Sequence, residues 1–255
     1  FIRNPKGITL TKDGVEFLSY ARQVVEQTNL LEERYKSHTE TRELFSVSSQ
    51  HYAFVVNAFV SLLKRADMTR YELFLRETRT YEIIEDVKNF RSEIGVLFLN
   101  SYNRDVLTKM FDDNRLTYTS LFKARPHIFV SKSNPLAKHE VVSLEDLEDF
   151  PYLSYDQGIH NSFYYSEEIL SQIPHKKSIV VSDRATLFNL LIGLDGYTIA
   201  TGILNSNLNG DNIVSIPLDI DDEIDIVYLK HEKATLSKMG EKFLDNLVKE
   251  VTFDN

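Results

Sequence analysis

From Leu44 to Val251 the chain alternates β-branched or aromatic runs with segments of helical periodicity, and no other feature limits the fold as much. Strand-like runs occupy Leu44–Ser48, Tyr71–Leu75, Ile94–Leu99, His127–Ser131, Tyr152–Tyr155, Ser178–Ser182, Tyr197–Ala200, Ile213–Ile216 and Ile224–Leu229. Helical spacing is found at Tyr52–Arg65, Thr80–Phe90, Phe163–Ile173, Ala185–Leu194 and Leu236–Val251. A strand that leads through a helix to another strand is a crossover unit, so mostly parallel sheets faced by helices are expected. With 255 residues, 42% of them hydrophobic, the chain can bury one large core or two moderate ones.

The segment before this alternation has a different character. A turn at Pro5–Gly7 separates two short extended runs, and Gly7 supplies positive φ there at little cost. Arg3 and Lys6 flank the turn, as contacts to a DNA backbone would require. Thr11 is placed to cap a helix, with Asp13 in its first turn complementing the helix dipole. Phe17, Ala21, Val24, Thr28, Leu31 and Tyr35 follow at alternating spacings of four and three, the seam of a coiled coil. The polar stretch 37–42 then reads as a linker.

Charge separates the same two parts. The net charge is −9, yet residues 1–36 hold six basic side chains against five acids, which leaves −10 on the remainder. Phosphate repels an acidic body, so any contact with nucleic acid falls to the N-terminal end. Cysteine is absent, which excludes disulfides and thiolate metal sites and suits a cytoplasmic location. No apolar run is long enough to span a membrane, and the first residues are not a signal peptide.

Several segments together carry a family resemblance. Phe1-Ile-Arg-Asn-Pro-Lys-Gly-Ile-Thr-Leu-Thr-Lys-Asp-Gly14 resembles the end of the winged helix-turn-helix and the start of the linker helix in LysR-type transcriptional regulators. Asn134-Pro-Leu-Ala137 with Val142-Ser-Leu-Glu-Asp-Leu-Glu-Asp-Phe-Pro-Tyr-Leu153 is similar to a recurring segment of their effector-binding domain, with Asn134 and Tyr152 as departures. Gly193-Leu-Asp-Gly-Tyr-Thr-Ile-Ala-Thr-Gly202 is similar to another, with Asp195 and Thr201-Gly202 departing from the common pattern. The likeness is closest to the streptococcal MtaR/CpsY branch, whose members resemble regulators of methionine and related metabolism. It implies two Rossmann-like lobes of periplasmic-binding-protein type: 42–122 with 222–255 as lobe I, and 123–221 as lobe II. Before them it implies a remnant of the wing at 1–10 and a dimerising linker helix at 11–37. A homodimer or homotetramer, DNA bound through a helix-turn-helix upstream of Phe1, and a small-molecule effector are the implied partners; a cofactor is not.

The effector is expected between the lobes, because α/β sheets bind ligands beyond the carboxyl ends of their strands. On the lobe I side Ser48, Ser49, Gln50 and His51 join a strand to a helix, where backbone N–H groups and hydroxyls can hold a carboxylate. On the lobe II side Tyr155, Asp156, Gln157, Gly158 and His160 form a loop in which Asp156 can take an ammonium. Capping alone accounts for either turn, by Ser49 or Gln50 in the first and Asn161 in the second. Asn100, Thr201 and Gly202 are further strand-end candidates. An amino-acid-like zwitterion or carboxylate fits this set.

Catalysis is not expected. No HExxH, Cys/His spacing, G-x-S-x-G elbow or phosphate loop occurs, and the acidic string Asp219–Asp225 lacks the glycine of a calcium loop. A solute-binding component of an importer would share the lobe architecture, but it leaves the wing-like turn and the coiled-coil seam without a role.

Overall fold

The computed structural model describes residues 1–5, 7–36, 43–65, 70–204 and 210–252. The chain divides into two compact units, Phe1–Arg42 and Glu43–Asn255. The first consists of a hairpin, β1 (Ile2–Asn4) paired antiparallel with β2 (Gly7–Thr9), and the 25-residue helix α1 (Lys12–Lys36). Thr11 caps α1, its Oγ1 accepting the N–H of Gly14 at 3.0 Å. The seam positions Phe17, Val24 and Leu31 are 73%, 65% and 57% exposed, so none of the described residues of this unit covers them. The Tyr35 side chain, Lys6 and the linker 37–42 lie outside the described residues.

The second unit has two five-stranded sheets. In lobe I, β3 (Glu43–Ser49) leads into α2 (Ala53–Arg65), β4 (Tyr71–Glu77), α3 (Thr80–Lys88), β5 (Ile94–Leu99), α4 (Arg104–Asp113) and β6 (Leu116–Ala124). Lobe II contains β7 (His127–Ser131), β8 (Tyr152–Tyr155), β9 (Ser178–Val181), α5 (Arg184–Leu194), β10 (Tyr197–Ala200) and β11 (Ile213–Pro217). The chain then returns to lobe I as β12 (Ile224–His231) and ends in α6 (Lys238–Thr252). The sheet orders are β4-β3-β5-β12-β6 and β11-β7-β10-β8-β9.

Both sheets are mixed rather than mostly parallel. β3 pairs parallel with β4 and β5, and β8 with β9 and β10, as crossover units require. β12 runs antiparallel to β5 and β6, and β7 antiparallel to β10 and β11. The antiparallel members are the strands that adjoin the two passages between lobes, where a returning chain enters from the opposite end. The first passage falls between Ala124 and His127, two residues beyond the expected boundary at 122.

Burial explains the elements nearest the cleft. Every residue of β5 is buried, the near-continuous apolar run of a strand covered on both faces. Gly95 lets α3 settle on it: a Cβ there would come within 2.8 Å of Ile83 Cγ2 and 2.9 Å of Val87 Cγ2. α2 buries Phe54, Val55, Ala58, Phe59 and Leu62, while Lys64 and Arg65 complement its C-terminus. The largest apolar cluster runs from Phe54 and Phe98 in lobe I to Ile128 and Ile199 in lobe II, so the lobes share a core.

One expected helix is absent. Phe163–Ile173 forms only a 3-10 turn at Phe163–Tyr165, and Leu170 has a positive φ of 59° that interrupts any helix. The segment between β8 and β9 instead crosses to lobe I.

Candidate functional site

The turn after β3 is where the lobes meet. Ser49 ends the strand, α2 begins at Ala53, and His51 between them faces lobe II. Its backbone N–H and its ring Nδ1 lie 2.9 and 2.8 Å from one carboxylate oxygen of Glu167. The other oxygen of Glu167 accepts Nε2–H of Gln157 at 3.0 Å. Tyr155 stacks on the His51 ring at 4.0 Å and an interplanar angle of 9°. Burial alone would lower the His51 pKa; the hydrogen bond and charge of Glu167 outweigh it and hold the imidazole above its ordinary value. A neighbouring pair also crosses the cleft: Arg184, opening α5, lies 3.3 Å from Glu77, which ends β4. Burial still raises the Glu77 pKa.

Behind this pair a cavity of about 50 Å³ is walled by both lobes. Lobe I gives it His51, Tyr52 and Phe54, and lobe II gives it Phe129, Leu187 and Phe188 among others. Glu168 stands in the wall that this cavity shares with a second pocket of about 450 Å³ within lobe II. One of its oxygens accepts the N–H of Tyr155 at 2.9 Å, and the other, buried, has no partner among the described residues. Burial, reinforced by the charge of Glu167, drives the Glu168 pKa well above the carboxylate range. Both effects favour the protonated form of Glu168, which can donate as well as accept a hydrogen bond.

The sequence-derived candidates divide into those in the cleft and those inside the scaffold. Ser48 is not a cleft residue: its hydroxyl donates to Asp86 at 2.6 Å and meets Ser92 Oγ at 2.7 Å inside lobe I. Gln50 is spent on bracing, accepting from the N–H of Phe98 at 3.1 Å and from Tyr52 Oη at 2.6 Å while donating to Thr80 Oγ1 at 2.6 Å. Ser49 Oγ is buried without a partner among the described residues. Asn100 shapes the start of α4, accepting the N–H of Tyr102 and of Asn103 at 3.1 Å each, and ties it to Asp222 at 3.0 Å. Gly202, at φ 83°, packs so closely on His127 that a Cβ would lie 2.6 Å from the ring. Thr201 does line the interlobe cavity.

Asp156 does not present a free carboxylate to an ammonium. It pairs with Arg79 at 2.5 Å and accepts the N–H of Gly158 at 2.9 Å. Gln157 caps α3 from the other lobe, its Oε1 accepting the N–H of Thr80 at 3.2 Å where Arg79, the N-cap residue, offers no side-chain acceptor. His160 stacks on Tyr81 of α3 at 3.5 Å. Gly158, with φ 61°, sits against the Arg79 guanidinium, 2.8 Å from where a Cβ would be. The Tyr155–His160 loop is thus the start of a strap fastened to lobe I.

Sequence reasoning missed Glu167, Glu168, Glu77, Arg184 and Arg79. Two adjacent acids inside a segment of helical spacing look like a solvated face, and only the tertiary fold brings Glu167 to a residue 116 positions earlier. Arg3 lies in β1, exposed. Among the described residues no group of three or more histidine or acidic side chains could hold a metal, and no helix is long and apolar enough to cross a membrane.

Comparisons place this architecture among known proteins. Solved structures share the fold at low identity. A LysR family regulator from Pseudomonas aeruginosa is 15% identical with a TM-score of 0.55, over 96% of this chain and 84% of that one. A full-length OxyR variant from the same organism is 15% identical with a TM-score of 0.57, over 97% and 83%. The effector-binding domain of QuiR, in complex with shikimate, is 16% identical with a TM-score of 0.54, over 82% and 97%. No curated protein matches the chain. The model of the LysR substrate binding domain matches residues 48–252, most of the sequence, and the chain belongs to that family.

Proposed function

We propose that this chain is the ligand-sensing and oligomerising part of a LysR-type transcriptional regulator, with the effector held between the lobes. The observation that carries this reading is the cavity walled by both lobes, with His51 on one side and Tyr155, Glu167 and Glu168 on the other. A molecule bound there touches both lobes and favours one arrangement over another, which is how a ligand shifts a conformational population. The complex of the QuiR domain with shikimate supports a small metabolite as the ligand class. The resemblance to the MtaR/CpsY branch supports an amino-acid-like effector linked to methionine or sulfur metabolism.

DNA binding belongs in this reading to a helix-turn-helix joined to the β1–β2 hairpin, with Arg3 and Lys6 touching phosphate. The exposed seam of α1 forms the homodimer, with a tetramer built from such dimers. Isothermal titration with sulfur-amino-acid intermediates tests the sensing role, using Ile203→Trp, which fills the cavity wall from a loop, as the control. Binding by the native chain that Ile203→Trp abolishes is the expected result. Binding indifferent to that substitution refutes the cleft.

A further inference from the structure

The donors at the start of α2 already hold an anion, and that anion belongs to the chain. His51 N–H and Nδ1 converge on one oxygen of Glu167 and Gln157 serves the other, with the His51 and Glu167 side chains 7% and 3% exposed. Among the described residues no lysine or arginine lines the interlobe cavity, so its donors for a second carboxylate are few. Next to the occupied position, the buried oxygen of Glu168 that lacks a partner among the described residues marks hydrogen-bonding capacity they do not use.

We propose that Glu167 is a tethered carboxylate occupying the anion position of the cleft, and that a carboxylate-bearing effector acts by displacing it; the proposal rests on the effector-binding reading above. Exchange of one carboxylate for another keeps the three donors satisfied, so the displacement itself sacrifices little hydrogen bonding. Its consequence is mechanical. Glu167 is the buried anchor of the strap that also carries Asp156 against Arg79, His160 against Tyr81, Tyr164 against Tyr102, and Tyr165 Oη at 3.5 Å from Met110 Sδ. Those other contacts lie nearer solvent, and the remaining buried one, the Gln157 cap on Thr80, belongs to the residue that also holds Glu167, so freeing Glu167 loosens the strap from lobe I.

Calorimetry on the 255-residue chain tests this with isovalerate, a carboxylate with a small apolar tail, and isoamylamine as its charge-reversed counterpart. Glu167→Ala vacates the position, and Glu167→Gln removes the charge while keeping the shape, which guards against a misfolded alanine variant. The expected result is isovalerate affinity at least about tenfold tighter in Glu167→Ala than in the native chain, with a smaller gain in Glu167→Gln. Hydrogen exchange in the native chain should rise across residues 158–166 on adding isovalerate. Unchanged or weaker isovalerate binding in both variants, a preference for the amine, or protection of 158–166 overturns the proposal. If isovalerate binding ignores Glu167 but is lost in Ile203→Trp, the tethered carboxylate fails while the cleft stands. Binding that ignores both substitutions overturns the two readings together.

Discussion

Ser48→Ala separates a scaffold role from a ligand role at the turn where sequence places the effector. The Ser48 side chain is fully buried, and its Oγ lies 2.6 Å from Asp86 and 2.7 Å from Ser92. A hydrogen bond to a carboxylate contributes about 1.5–3 kcal/mol net. Asp86 keeps its 3.1 Å ion pair with Arg91, but the Arg91 side chain is 66% exposed and its charge screened, so it compensates little. The expected loss is about 2 kcal/mol, because the carboxylate keeps one partner and the hydroxyl leaves only a small void. For a domain of this size each kcal/mol moves Tm by about 2–4 °C, giving a fall of about 4–8 °C. Chemical denaturation should show a lower midpoint at unchanged slope, and effector affinity in the folded variant should match the native chain. A double-mutant cycle with Asp86→Asn should return a coupling of about 1 kcal/mol or more. An unaltered Tm with weakened ligand binding would refute the assignment of Ser48 to the scaffold.

Two further outcomes follow from burial. Burial and then Glu167 raise the Glu168 pKa in the folded chain, so between the ordinary value and the raised one unfolding releases a proton. Its contribution to stability is therefore present at low pH and lost as pH rises from the ordinary glutamate value through the raised one. Glu168→Gln should flatten Tm against pH and exceed the native Tm at the alkaline end; parallel curves would contradict this. The slope that remains comes in part from His51, whose raised pKa gives stability present below the ordinary imidazole value and lost above the folded one. In α1, replacing Val24 and Leu31 with lysine should shift sedimentation toward monomer without changing the melting of the lobes. Unaltered association would remove the seam from the dimer interface.

The parts of the fold legible in sequence are those whose local pattern agrees with their burial. Ile94–Leu99 is an unbroken apolar run and is fully buried; the spacing in Ala53–Arg65 matches the face it buries. β6 passed unseen because Leu116–Ala124 is an edge strand rich in threonine whose middle is exposed. α4 did too, since it buries only Leu107 and Phe111. Within the turn after β3, sequence does not show which side chain serves the scaffold and which reaches the other lobe. Strand alternation gives neighbouring residues opposite faces, so Ser48 turns to Asp86 in the lobe interior while His51, past the strand, reaches the other lobe. The strap was misread for a related reason. Phe163, Tyr164, Tyr165 and Ile169 are spaced as a helix would space them, yet Tyr164 and Tyr165 pack on lobe I, which a helix lying on its own sheet could not supply.

The distribution of contacts along the strap bears on whether it can switch at all. A two-state element answers a small ligand only if its states differ by a few kcal/mol, since an effector shifts the balance by no more than its preference for one state. The Arg79–Asp156 pair is 38% and 41% exposed and adds little at that exposure. Aromatic stacks such as His160 on Tyr81 and Tyr164 on Tyr102 contribute about 0.5–1.5 kcal/mol each. Glu167 differs, because a buried carboxylate with three donors cannot leave without either taking a partner along or being replaced. The buried part of the latch is therefore Glu167 with Gln157, which holds it and caps Thr80, and the exposed contacts are weak enough to follow. Several equally strong contacts would have fixed the strap, and exposed ones alone would not have held it. Concentrating the cost of opening at the one position where donors converge makes that position the place where a ligand's chemistry decides the state.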